Sequence, residues 1–323
     1  MAFGSDVDIS FLRYVQEHKR AAAARAREGA AYAYGPELRT RNRLGRVRPV
    51  VLALELSLRE FHKSGQARLL EGAVEVAQGR FALAAQLVAD AAKALGLPPP
   101  RCFISPTVGV HDACVFGTSD EALIVLPAAF VDHLTAAELS ATVGSALGRV
   151  HNQHTPLLTA LWVVRTGAPA ALRWVGRPAA AVLSAWARGA DITADRAGLL
   201  VTRHLRATAA ALAKRLGGGR RLLADINVSD ALAQLDSPRP HPECGLDAES
   251  WELWRVRVQA LQLFSQTAFY KGGGQAPLAH QDSLSSSANP DSHSNHDSAP
   301  GETGGMTLAE CNDRVSALLG TSL

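Results

Sequence analysis

Closely spaced cysteines are missing from the sequence, which has four cysteines and no C-x-x-C pair. Thiolate metal sites and disulfide frameworks both depend on regular cysteine spacing. The absence argues against a disulfide-stapled secreted fold and against a cysteine-ligated metal. We expect four small, buried thiols in a reducing compartment, at Cys102, Cys114, Cys244 and Cys311.

Long apolar runs are also missing. The most apolar region, 156–187, is interrupted by Arg165, Arg173 and Arg177. No part of it reaches the roughly 18 uninterrupted apolar residues of a membrane-spanning helix. The first residues of the sequence also lack the basic segment, the apolar segment and the small-residue cleavage site of a secretory signal peptide. The sequence therefore predicts a soluble, cytoplasmic protein that does not span a membrane.

A large excess of either charge is absent, because the formal net charge is only +3. Near-neutrality predicts that nucleic acid is not a partner. One stretch departs from it: ten basic and three acidic residues lie between Arg13 and Arg48. A solvated helix face is the expected explanation of this stretch, and contact with an anionic surface is the alternative.

Hydrophobic residues make up 47% of the chain, and alanine is abundant among them. This composition and the helical spacing of apolar residues predict a mostly helical α+β fold. A small antiparallel sheet is predicted from three β-rich runs, with a hairpin turn at 117–120 between the last two. These runs are 102–109, 113–117 and 122–127. Long helices are predicted over 69–95 and 191–216, the second with Asp191 in its first turn.

Shifts in composition divide the chain into four regions. Between 272 and 305 it falls to glycine, serine, aspartate, histidine, asparagine and proline, which predicts a disordered linker. Thr307 and Glu310 then form a capping box for a last helix, which either docks on the domain or binds a partner. The predicted regions are a basic helical part (1–68), a main domain (69–271), the linker (272–305) and a short helix (306–323).

The stretch 136–155, AAELSATVGSALGRVHNQHT, is typical of an amphipathic helix with a capping box at Thr135 and Glu138. Ser145, Ala146 and Arg149 fall in it at positions i, i+1 and i+4. This is the spacing of H-E-x-x-H helices, in which two histidines bind a metal and the glutamate acts as general base. The pattern therefore has the spacing of a metallopeptidase helix without its reactive side chains.

Residues 91–271 resemble the zinc metallopeptidases of the HtpX-like and CAAX-prenyl-protease type, in a degenerate soluble bacterial form. The resemblance lies in four stretches in the family's order: FISPTVGVHDACVFGTSDEALIVLP, LTAAELSATVGSALGRVHNQHT, AWARGADITADRAGLL and HPECGLDAESWELWRVRVQALQLFSQTAFY. It implies a zincin-like fold, with the small sheet beside the degenerate H-E-x-x-H helix. The sheet's edge strand is expected to line a substrate cleft.

The resemblance also implies where the family's site residues fall. The two zinc-ligand histidines fall on Ser145 and Arg149, and the catalytic glutamate falls on Ala146. The ligand glutamate of the E-x-x-x-D motif falls on Asp191, and its aspartate on Asp195. A serine hydroxyl is a poor zinc ligand, and alanine cannot take a proton from water. We therefore expect no intact catalytic residue, no bound metal and no other cofactor.

Arg149 suggests what replaces the metal. A buried carboxylate at Asp191 needs a positive partner, and a guanidinium provides one in a forked, hydrogen-bonded contact. We predict that Arg149 pairs with Asp191, and that Asp195 shares the contact. The alternative is that Arg149 turns outward and leaves the cleft vacant.

The expected function is a pseudopeptidase that binds a polypeptide or a partner protein in the retained cleft. A homo- or hetero-oligomer is compatible with this expectation. The contact is assigned to the edge strand, where a peptide adds as a further strand. The candidate binding residues are Ala113, Cys114, Val115 and Phe116 on that strand, with Arg149, Asp191, Asp195, His241 and Arg257. Ordinary sheet packing is the competing role of the strand residues.

An enzyme is the alternative class. A zinc-dependent metalloendopeptidase would need an altered metal site, for which His151 and His154 are the nearest histidines. Because a helix turns by about 100° per residue, both histidines lie well away from the helix face that carries Ser145 and Arg149. A Ser145 nucleophile would need a base, and His241 is the one candidate. Zinc is expected only on this alternative.

Overall fold

The computed structural model describes residues 23–77, 79–106, 113–166, 170–216, 228–235, 246–274 and 305–321. Part of the predicted basic helical region 1–68 lies outside these ranges, as do His241, Cys244 and almost all of the predicted linker. The described helices are α1 (23–32), α2 (Gly35–Leu44), α3 (Arg48–Glu60, followed by a π-helical turn Phe61–Gly65), α4 (Gln66–Leu69), α5 (Ala82–Ala94), α6 (Ala128–His133), α7 (Ala136–His151), α8 (Thr155–Arg165), α9 (Ala170–Thr202), α10 (Leu205–Leu216), α11 (Val228–Ala233), α12 (Ala248–Ser265), α13 (Ala268–Lys271) and α14 (Leu308–Thr321). The strands are β1 (Val74–Glu75), β2 (Arg101–Ser105), β3 (Cys114–Gly117) and β4 (Ala122–Pro127).

The fold is mostly helical with one small sheet, which confirms the predicted α+β class. The sheet has the order β1-β2-β4-β3, and the predicted hairpin joins β3 to β4 in antiparallel register. The prediction of a wholly antiparallel sheet is wrong, because β4 lies parallel to β2. The central run Ile124, Val125 and Leu126 is fully buried, so β4 takes the inner position and β3 is left at the edge.

The hairpin turn depends on Gly117, which has a φ of +106°. A Cβ at this position would lie 2.1 Å from the carbonyl oxygen of Glu121. A glycine is therefore required for the chain to turn back so tightly into β4.

The capping box predicted for α7 is present. The backbone N–H of Glu138 donates to the Thr135 hydroxyl (3.3 Å), and the Thr135 N–H donates to the Glu138 carboxylate (2.8 Å). The helix ends at His151, before the predicted Thr155, because Gln153 adopts a φ of +56°. The cap and this break fix the positions of Ser145, Ala146 and Arg149 along the helix.

Small residues bring α7 against α9. A Cβ on Gly148 would lie 2.3 Å from the Cβ of Ala197, and one on Gly144 would lie 3.0 Å from the Cα of Gly198. Glycine at these positions lets the two helices pack nearly backbone to backbone. Side chains that face across the rest of this interface therefore meet at short range.

Two predicted helix boundaries are wrong. The helix predicted over 69–95 contains β1, because Gly72 turns the chain with a φ of +71° and Val74 pairs with Ile104 of β2. The helix predicted to begin at Asp191 is instead the middle of α9, which runs on to Thr202. Asp191 therefore does not lie at the N-terminus of a helix, where the helix dipole would stabilise its negative charge. A positively charged side chain has to stabilise it instead.

The last helix docks on the rest of the chain. Met306 exchanges backbone hydrogen bonds with Gln266 and Ala268, and Cys311 and Val315 of α14 lie in the main hydrophobic core. Of the two roles left open for this helix, the structure shows the docked one. The division of the chain into four regions stays a prediction.

Arg196 of α9 ties the two ends of the described chain together. Its fully buried guanidinium donates to the carbonyl oxygens of Tyr32 and Ala33 (both 3.1 Å) and to Oδ1 of Asn312 (2.9 Å). It also lies 5.0 Å from the ring centroid of Phe264. This arginine thus satisfies carbonyls at the end of α1 while holding α14 in place.

The structure bears on two of the absences noted in the sequence, those of closely spaced cysteines and of long apolar runs. Cys102 and Cys311 are buried free thiols, whereas Cys114 is only half-buried. Burial raises the pKa of Cys102 to about 12, so that thiol is not reactive near neutral pH. Within the described ranges, no helix is both long enough and apolar enough to cross a membrane.

Candidate functional site

Arg149 points across the α7–α9 interface and pairs with Asp191. Its Nη2 donates to Oδ1 of Asp191 at 2.8 Å. The arginine side chain is 9% exposed and the aspartate 32%. The pair predicted from the sequence is therefore present. Arg149 turns inward toward Asp191, and the alternative in which it turns outward is not observed.

Arg257 of α12 binds both aspartates of α9. Its Nε and Nη2 donate to the two carboxylate oxygens of Asp195 at 2.7 and 2.8 Å, and its Nη1 lies 3.6 Å from Oδ2 of Asp191. The forked contact expected of Arg149 is thus made by Arg257. We call Arg149, Asp191, Asp195 and Arg257 the ion-pair cluster; its two positive and two negative charges balance, which offsets the cost of burying them.

The other two positions of the degenerate motif are filled by packing. Ser145 is 3% exposed, and a Cβ on Gly198 would lie 2.6 Å from its Oγ. Ala146 is 1% exposed and belongs to the main hydrophobic core. Ser145 offers only a poor ligand, Ala146 offers neither a ligand nor a base, and Arg149 pairs with the remaining carboxylate. The residues present therefore do not fit a zinc ion.

A second polar network lies beside this helix pair and was not predicted from the sequence. Glu37 of α2 is buried, accepts from Nε1 of Trp186 (2.8 Å) and from the Thr193 hydroxyl (3.1 Å), and has Nε2 of His154 at 3.2 Å. Burial would raise the pKa of Glu37, but His154, Trp186 and Arg41 together lower it. The sequence signal for this network is Glu37 itself, an isolated acidic residue beside several arginines.

The two histidines after the motif have separate partners. Nδ1 of His151 lies 3.1 Å from the Tyr32 hydroxyl, whereas His154 faces Glu37. Burial lowers the pKa of both imidazoles. In the described part of the chain, no group of three or more histidine, cysteine, aspartate or glutamate side chains is placed to hold a metal ion. The structure thus gives no support to a relocated metal site on these histidines.

Stability should fall in acid because His151 is buried in its neutral form. Burial lowers its pKa to about 4, although a bond to the Arg25 backbone acts in the opposite direction. An unfolded histidine titrates near 6.5, so the unfolded chain binds more protons between about pH 6.5 and pH 4. We expect this histidine to remove about 3 kcal/mol of unfolding free energy as the pH falls through that window.

Denaturant unfolding at neutral pH and near pH 4 measures this loss. His151→Asn is the comparison, because an amide retains a polar partner for the Tyr32 hydroxyl without titrating. The variant should lose about 3 kcal/mol less than the wild type over the same interval. Equal losses in the two proteins would show that this imidazole is not the titrating group.

The strand residues assigned to peptide contact lie in the sheet's edge strand or just before it, but most of them are buried. Ala113, Val115 and Phe116 are each at most 2% exposed, and Cys114 is half-buried. At the end of β3, the Thr159 hydroxyl of α8 bonds to both the N–H and the carbonyl oxygen of Gly117 (2.9 and 3.2 Å). Helix α8 therefore covers this end of the strand edge. His241 lies outside the described residues.

A cleft of about 850 Å³ borders the C-terminal end of α7. Val150 and His151 form part of its wall, together with Arg25, the proline run 98–100 and the hairpin residues 119–123. The cleft thus begins at the residue after Arg149, at the turn between β3 and β4, and Ser145, Ala146, Arg149 and Asp191 do not line it. Its size is in the range of sites that bind small molecules or short peptide segments.

Comparison with known proteins gives one distant similarity. No protein-family model and no solved structure matches the chain. A stretch of 180 residues is 29% identical to plastoglobule-localized metallopeptidase 48, chloroplastic, of Arabidopsis thaliana. The match covers 54% of this chain, which spans about half (51%) of that protein's length. The similarity supports a metallopeptidase-like relationship.

Proposed function

We propose that this chain is a metallopeptidase-like protein that does not hydrolyse peptides through zinc, and that it binds a polypeptide instead. The observation that carries the proposal is the 2.8 Å contact between Arg149 and Asp191. In the family that the sequence resembles, a metal would hold this carboxylate. Here a side chain of the protein itself supplies the positive charge.

Electrostatics supports the absence of a zinc site. A guanidinium about 4 Å from a divalent ion would cost on the order of 8 kcal/mol at an effective dielectric near 20. Ser145 and Ala146 provide neither a second strong ligand nor a base, and both are buried in packing contacts. The distant similarity to a protein named a metallopeptidase supports the scaffold and does not extend to the reaction.

Peptide hydrolysis assays test the inactive state. Full-length protein supplied with zinc should release no product from a mixture of fluorogenic peptides above the level of a heat-denatured sample. Cleavage that disappears on addition of a chelator and returns with zinc would contradict the proposal.

The Arg149–Asp191 pair should couple in a double-mutant cycle. We expect Arg149→Ala and Asp191→Ala together to cost about 1–3 kcal/mol less than the sum of the single losses, because each single variant leaves a partly buried charge without its main partner. The exposed third of Asp191 and its contact with Arg257 keep the coupling below that of a fully buried pair. Urea unfolding gives the four free energies, and additive losses would rule out a coupled pair.

The cleft beside α7 is the proposed place for the bound polypeptide. Strand addition at 113–116 stays a prediction, since α8 already bonds the end of that edge at Gly117. The cleft offers both charge signs and an apolar proline wall, which suit an extended segment with mixed side chains. Peptides selected from a random display library on the wild-type protein should bind at least about tenfold more weakly to Val150→Trp, which fills the cleft. Unchanged binding would place the polypeptide elsewhere.

A further inference from the structure

The turn between α2 and α3 exposes aliphatic side chains that nothing in the described chain covers. Val47 is 42% exposed and Leu52 is 45% exposed. The buried residues of α3 are Val50, Ala53 and Ser57, so Leu52 lies on the helix face directed away from the core. Leu52 lines a surface groove of about 680 Å³, together with Arg46, Arg48 and Glu55, and Val47 lies between the two arginines in the chain.

Arg46 and Arg48 line the same groove as Leu52, and Arg39 and Arg43 precede them on α2. Arg39, Arg43, Arg46 and Arg48 are exposed, and none of them has an ion-pair partner among the described residues. No acidic residue occurs between positions 38 and 54. We call Arg43, Arg46, Val47, Arg48 and Leu52, at the end of α2 and the start of α3, the basic–apolar patch.

The fold does not account for all of these arginines. Arg43 lies in the last turn of α2, where a positive charge is favourable. Arg48 begins α3, which has no acidic residue in its first turn, and a positive charge there is unfavourable. Arg41, by contrast, donates a hydrogen bond to the carbonyl oxygen of Asn152. The outward arginines are therefore available to an external anion.

We propose that the basic–apolar patch docks on an anionic lipid bilayer as a peripheral contact. Phosphate headgroups would pair with the arginines, while Val47 and Leu52 would enter the interfacial region. Each arginine near such a surface raises partitioning about fivefold, so the three arginines of the patch give about a hundredfold. Nucleic acid fits the patch less well, since 38–54 has no aromatic side chain on which a base could stack.

Vesicle co-sedimentation of the full-length protein tests this contact. We expect binding to phosphatidylcholine vesicles that contain phosphatidylglycerol, loss of that binding at high salt, and no binding to phosphatidylcholine alone. Arg46→Gln with Arg48→Gln should weaken binding about 25-fold, and Val47→Ser with Leu52→Ser should weaken it at least about tenfold. Arg68→Gln and Leu253→Ser, at exposed positions outside the patch, are the matched controls and should change little.

Three results would overturn the proposal. The first is equal binding to neutral and anionic vesicles, and the second is binding to anionic vesicles that the patch substitutions leave unchanged. The third is tighter binding to a nucleic-acid duplex than to the anionic vesicles at the same salt. The substituted side chains are exposed, so circular dichroism should show that each variant folds as the wild type does.

Discussion

Arg257→Ala should destabilise the protein by about 3–5 kcal/mol. The guanidinium forms a forked contact with Asp195, whose side chain is only 3% exposed, and it also approaches Asp191. Its removal leaves one buried carboxylate without a positive partner and a second with a single one. Urea unfolding at neutral pH gives the loss as a shift in the midpoint at constant slope.

Arg255 is the matched control for this loss, because it lies on the same helix two residues earlier. It pairs with Glu252 at the surface, with side chains 20% and 35% exposed, so Arg255→Ala should cost at most about 1 kcal/mol. Asp195→Ala combined with Arg257→Ala should cost less than the sum of the single variants. Equal losses for the two arginines would show that the ion-pair cluster does not stabilise the fold.

The second large effect is a gain of zinc binding. A variant carrying Ser145→His, Arg149→His and Asp191→Glu places two histidines at the spacing of an H-E-x-x-H helix and a glutamate opposite them. It also removes the Arg149 guanidinium, whose repulsion of a divalent ion is on the order of 8 kcal/mol at about 4 Å, while the Arg257 guanidinium remains. We expect this variant to bind zinc at least about 100-fold more tightly than the wild type, as measured by competition with a chromogenic chelator.

The variant that keeps Arg149, with only Ser145→His and Asp191→Glu, separates the ligands from the charge. It places the same histidine beside Gly198, where Ser145 already packs closely, so any steric effect of that histidine is common to both variants. It should bind zinc no better than the wild type. Similar zinc affinity in the two variants would mean that Arg149 does not occupy the metal position.

Local sequence signals predicted the elements that carry the site. The capping box at Thr135 and Glu138 and the hairpin at Gly117 are set by residues close together in the chain, and both are present. The Arg149–Asp191 pair also followed, because the resemblance placed both residues in one cleft and a buried carboxylate needs a partner.

Features set by contacts between distant segments did not follow from the sequence. The partner of Asp195 depends on how α12 crosses α9, and Arg257 lies 62 residues away along the chain. Glu37 and Trp186 are 149 residues apart, so no periodicity connects them. The parallel pairing of β4 with β2 likewise depends on burial of both faces of β4, which composition alone does not locate.

On the proposed function, the ion-pair cluster would let the scaffold stay folded without a metal. A zinc ion would supply two positive charges to the carboxylates of α9, and the two arginines supply the same total. Because the arginines belong to the chain, their charge does not depend on the concentration of a free ion. The stability of the fold is therefore expected to be independent of zinc.

Zinc titration of the wild-type protein tests the central proposal most directly. Full-length protein is dialysed against buffered free zinc, and the bound metal per chain is measured by mass spectrometry beside Asp191→Ala. The proposal predicts no stoichiometric zinc in either protein and no change in unfolding temperature when zinc is added. One zinc per wild-type chain that Asp191→Ala abolishes would contradict it.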